Sequence, residues 1–157
     1  MGYYIEQLDC KFFMPKENFS GAISVSKLLL TKETKNKNAS GKRMWYSPKN
    51  EIKIDKHYAW VNEQEVLNAT TFEGVAEAFR WDTEKDSEGN VTDFIFNGQK
   101  YGGDELVFLN AIAPYVKKGS FIEVQGEEGE RWKWYFNGNT CEEYFAEITY
   151  PDLEGEE

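Results

Sequence analysis

The chain has 157 residues, enough for one domain, and its 40% hydrophobic and 16% aromatic content predicts a packed core rather than a disordered chain. Its 28 Asp/Glu against 18 Lys/Arg give a net charge of −10, which argues against ordinary phosphate-backbone binding. Two distant cysteines, Cys10 and Cys141, are expected to be reduced thiols. With no signal-like N-terminus and no membrane-length apolar run, the expected location is a cytoplasm, that of a bacterial cell or an infected host cell.

In chain order, residues 3–13 read as a strand with apolar residues on both faces. Pro15 suits a helix start, and Phe19, Ile23, Ser26 and Leu30 form a stripe that predicts a helix over about 15–31. Residues 31–56 interrupt this order. They hold eight Lys/Arg and three Asp/Glu, and read as a basic inserted loop with one short strand at 51–54. Capping-box spacing at Asn62/Glu65 and Thr70/Glu73 predicts two short helices within 62–80.

The chain then echoes itself. GNVTDFIFNG at 89–98 aligns with GERWKWYFNG at 129–138, and Asn-Gly is a strong hairpin signal. Each copy predicts three strands, at 79–85, 90–96 and 99–101, and at 120–126, 130–136 and 139–150. Between them Asp104 is the expected N-cap of a helix that Pro114 disturbs and Gly119 ends. The acidic tail 151–157 is expected to fray. The fold class that follows is α+β, in one domain of residues 1–157. An antiparallel sheet built from hairpins and meanders would carry about three helices on one face.

The tip Glu127-Glu128-Gly129 fixes the register of the second copy, opposing Val124 to Trp132 and Ile122 to Trp134. The tryptophans are then expected in the core, with Lys133 and Tyr135 on the wetter face. His57, the single histidine, is expected to be structural or superficial. No phosphate-loop or dinucleotide motif occurs. The acidic stretch 82–90 resembles a calcium loop in composition, but strand character from Val91 onward favours a turn. No metal, cofactor or catalytic residue is assigned.

The segments MGYYIEQLDCKFFMPKENF, GNVTDFIFNGQKYGGDELVFLNAIAPYV and GSFIEVQGEEGERWKWYFNG resemble a family of small bacterial and phage-associated proteins with no established activity. The resemblance covers about two thirds of the chain, omits most of 31–56, and implies a setting of bacteria and their mobile elements.

The functional expectation is a non-enzymatic acidic interaction protein, an inhibitor or regulator of the anti-defence type. Its partner would be a protein with a basic surface, such as one in a nucleic-acid-binding complex, engaged by carboxylates standing where phosphates would lie. Candidate contacts are Glu84, Asp86, Glu88, Glu127, Glu128, Glu130, Lys133 and Tyr135. Two alternatives stand beside it. One is a small-molecule binder or carboxylate-based hydrolase with an aromatic pocket. The other is nucleic-acid contact through Lys35, Lys37, Lys42, Arg43 and Trp45.

Overall fold

A computed structural model describes residues 3–30, 61–98, 100–147 and 149. The strand expected at 51–54, the basic loop, His57 and the acidic tail lie outside the described residues.

Strand β1 (Tyr3–Lys11) is followed by a 3-10 turn (Lys16–Asn18) and helix α1 (Phe19–Leu28). Pro15 sits at the cap of the 3-10 turn, so the α-helix begins later than the proline predicted and ends before residue 31. Helix α2 (Glu63–Asn68) begins at Asn62, whose side chain accepts the Glu65 N–H as expected. Helix α3 (Phe72–Ala78) is capped by Thr71, which accepts the Gly74 N–H; the cap lies one residue beyond the predicted Thr70. Strands β2 (Trp81–Lys85), β3 (Val91–Phe96) and β4 (Lys100–Tyr101) precede helix α4 (Glu105–Ile112). A 3-10 turn (Ala113–Tyr115) holds Pro114, and strands β5 (Phe121–Gly126), β6 (Arg131–Phe136) and β7 (Cys141–Phe145) follow.

The fold is α+β and mostly sheet. A curled antiparallel sheet has the order β4-β1-β5-β6-β7, and β2-β3 forms a separate two-stranded sheet. Four α-helices occur among the described residues, at the places where the sequence predicts helices.

The predicted β5–β6 register is the observed one: Ile122 opposes Trp134 and Val124 opposes Trp132. Gly129 takes φ 95°, the left-handed conformation the three-residue loop requires. Ile122, Val124, Trp132, Trp134 and Phe136 are all buried beneath the helices and the small sheet. Trp81 meets Trp134 edge-on, Phe12 stacks on Phe94, and Phe79 stacks on Phe108. The rings thus fill the space between the layers with one another.

Gln7 joins the sheets. Its amide accepts the Phe96 N–H at 2.8 Å and donates to the Phe94 carbonyl at 2.9 Å, so β3 bonds a side chain where it lacks a neighbouring strand.

The sequence echo is only half a structural repeat. In the second copy Asn137-Gly138 makes the expected tight turn between β6 and β7. In the first copy β4 does not turn back on β3 but pairs with β1 in the other sheet. Strand β2 also begins at Trp81 rather than at residue 79, because Phe79 and Arg80 turn the chain out of α3, with Arg80 at φ 80°.

Asp104 occupies the N-cap position of α4 without a side-chain cap bond. Glu105, the first helical residue, instead ties down the preceding loop: its carboxylate accepts the N–H groups of Gly102 at 2.7 Å and Gly103 at 3.0 Å.

Candidate functional site

The acids proposed from sequence stand at two separate places. Asp86 and Glu88 occupy the β2–β3 turn, with Glu84 at the end of β2, and Lys16 N–H bonding to Asn90 anchors this turn beside the 3-10 turn after β1. Glu127, Glu128 and Glu130 form the β5–β6 tip beside Tyr3 and Tyr4, where β1 begins. Strand β1 spans nine residues, about 30 Å at strand rise, and separates the groups. The structure does not bring them together.

Several of these carboxylates also serve the fold. Asp86 accepts from the N–H groups of Glu88 and Asn90 and from the Asn90 amide. Desolvation opposes its charge, but these donors outweigh it and hold the carboxyl below its ordinary range. Glu127 accepts the Tyr4 N–H at 2.7 Å. Glu130 accepts the Tyr3 hydroxyl, which with its own backbone N–H lowers its carboxyl pKa. Glu84, Glu88 and Glu128 are exposed.

Lys133 and Tyr135 lie half-buried on the sheet face opposite the core, as expected. The Lys133 ammonium sits 4.2 Å from the Phe121 ring centroid, and Tyr135 lies between Phe121 and Glu142 across the strands. Lys35, Lys37, Lys42, Arg43 and Trp45 lie outside the described residues.

Both cysteines are poor nucleophiles in this setting. Burial pushes the Cys10 thiol up to about 12, and burial with Glu143 and Glu142 nearby raises that of Cys141. Among the described residues, no group of three or more His, Cys, Asp or Glu side chains is placed to hold a metal ion. No helix of the described residues is long and apolar enough to cross a membrane.

The end of the large sheet at β7 combines exposed aromatics with acids. Tyr144 is 54% exposed and Phe145 60%, the most open large hydrophobic side chains among the described residues. Adjacent strand residues face opposite ways, so these two rings lie on opposite sides of the sheet. Glu142 and Glu143 precede them and Glu147 follows; no basic residue stands between Thr140 and Thr149.

No protein-family model, curated protein or solved structure matches this chain.

Two depressions flank β7. One of about 410 Å³ is lined by Glu123, Trp132, Lys133, Tyr144, Phe145 and Ala146. The other, about 490 Å³, runs along α4 past Leu106, Val107 and Ala111 to Leu29 and Cys141. Trp134 donates its indole N–H to Glu143 at 2.8 Å, whereas that of Trp132 is buried with no acceptor among the described residues. The β5–β6 tip lies at the Phe145 end, because the Ala146 N–H bonds to the Arg131 carbonyl. Glu127, Glu128 and Glu130 therefore lie near the acids of β7, with the exposed Arg131 between the two groups.

Sequence reasoning placed a strand here and assigned it no role. The available signal was the pair Tyr144-Phe145, since two consecutive large rings on an end strand cannot both face one core.

Proposed function

We propose that the protein is a non-enzymatic interaction protein that binds a protein partner of basic surface through the β7 end of its sheet. One observation carries the reading: Tyr144 and Phe145, the most exposed large hydrophobic side chains among the described residues, stand on an end strand whose only charges are acidic. Exposed aromatics supply anchoring area at low entropic cost, and carboxylates around them select a basic partner and speed its approach. The partner contacts narrow accordingly to Glu127, Glu128 and Glu130, joined by Glu142, Glu147 and the two rings. Such a protein inhibits or regulates by occupying a basic surface that another ligand would use.

A photo-crosslinking residue at position 144 tests this in the native host cell, with position 86 as the control at the remote turn. Position 144 should capture a specific protein that position 86 does not. Tyr144→Ala with Phe145→Ala should weaken retention of that protein at least about tenfold. Capture of nothing at position 144, or retention unaffected by removal of both rings, would sink the reading.

A further inference from the structure

The β7 strand is the last in the order β4-β1-β5-β6-β7, and among the described residues nothing pairs with its far edge. The direction of its backbone groups follows from three bonds. Ala146 N–H donates to Arg131 on β6, and Asn137 N–H donates to Thr140 across the turn, so even-numbered residues of β7 face β6. The Cys141 N–H confirms the alternation by pointing away, to the Asn110 Oδ1 at 2.9 Å on α4. That leaves the outward N–H and C=O groups of Glu143 and Phe145.

An open edge invites pairing, and proteins guard such edges with lysine, proline, bulges or cover. Within Cys141–Phe145 the guard is one end capped by Asn110 and two glutamates. Two copies meeting edge to edge would bring Glu142 and Glu143 together and repel. A strand carrying Lys or Arg would reverse the sign of that term. Side chains of an added strand alternate between two faces, and a depression beside each end of the edge offers them a receiving surface. The α4 groove with Leu106, Val107 and Leu29 flanks one end of the edge, and the Trp132–Tyr144–Phe145 depression flanks the other.

We infer that β7 is a strand-addition site: an extended partner segment that alternates basic with apolar residues adds to its open edge and lengthens the five-stranded sheet. The inference rests on the protein-binding reading above and specifies its mode.

Amide exchange with a short alternating Lys–Val peptide as probe tests it on the full chain. In the free protein the amides of Glu143 and Phe145 should exchange fast while those of Glu142 and Tyr144 are protected. Added Lys–Val peptide should protect Glu143 and Phe145 specifically. Its binding should fall about tenfold between roughly 0.05 and 0.5 M NaCl, and the Glu–Val counterpart should not bind. Phe145→Pro deletes an outward N–H that β6 does not use, so it should abolish peptide protection. Glu142→Lys should shift preference toward the Glu–Val peptide, which keeps the test decisive if the proline variant fails to fold.

Protection of Glu143 and Phe145 already in the free protein, whether from a second copy or another part of the chain, overturns the inference. So does peptide protection confined to other residues. If position 144 still captures a cellular partner in either case, protein binding stands and only strand addition falls.

Discussion

Arg80 concentrates the cost of the fold in one residue. Its backbone is left-handed at φ 80°, a conformation that disfavours any side chain with a Cβ. The side chain holds it there. The guanidinium pairs with Glu105 at 3.2 Å, donates to the Lys100 carbonyl, and lies 4.7 Å from the Phe96 ring centroid. Its own carbonyl accepts the Asn97 N–H at 2.9 Å. Desolvation lowers the Arg80 pKa and raises that of Glu105, and each partner offsets part of the other's penalty. Arg80→Ala removes the cation from a buried carboxylate while keeping the backbone penalty, and should cost about 3–5 kcal/mol in urea unfolding. Arg80→Gly should cost about 1 kcal/mol less, because glycine accepts this φ freely. Adding Glu105→Ala to Arg80→Ala should cost less than the two single changes together, since no unpaired charge is then left. Strict additivity, or an Arg80→Ala cost below about 1 kcal/mol, would show that the pair does not hold this turn.

The two Asn-Gly dipeptides explain how much of the element level was legible. The β5–β6 hairpin could be read because period-two burial and a glycine tip gave the same register. At Asn137 local chemistry also suffices: its Oδ1 accepts the N–H groups of Asn139 and Thr140, its Nδ2 donates to Thr140, and Gly138 takes φ 95°. The identical pair at 97–98 turns no hairpin. Gly98 lies against the Arg80 guanidinium, where a Cβ would collide, and Asn97 donates to Asp82 at the surface. The glycine at 98 is there for close approach, and no local pattern distinguishes that from a turn. The same limit hid the strand exchange of β4, the pairing of Arg80 with Glu105 and the edge at β7, each of which depends on partners distant in sequence. Asn137→Ala should therefore cost about 1–2 kcal/mol, and Asn97→Ala less than about 0.5 kcal/mol. Equal costs in thermal or urea unfolding would contradict the distinction.

At the scale of the whole molecule, charge sets how stability moves with pH. At neutral pH the chain carries −10, and self-repulsion opposes the compact state. Lowering the pH toward 5 titrates part of that charge away. Glu105 adds to the trend. Its folded pKa is raised by burial, so its contribution is complete below the unfolded value and is lost as pH rises through the raised one. Asp86 and Glu130 act in the opposite sense. Their folded pKa values are depressed, so their contribution is present above the unfolded value, near 4, and is lost as pH falls through the folded one. The two trends cross on the acid side, which places the stability maximum above the unfolded carboxylate value but below neutrality. Added NaCl should raise the thermal midpoint at pH 7, where repulsion is strong, and change it little at pH 5. A midpoint that climbs from pH 5 to pH 7, or that salt lowers at pH 7, would mean that attractive surface pairs outweigh the net repulsion. Under the binding proposed above, a basic partner at the acidic β7 face would neutralise the same charge that destabilises the free protein. Its binding should accordingly raise the midpoint more at pH 7 than at pH 5.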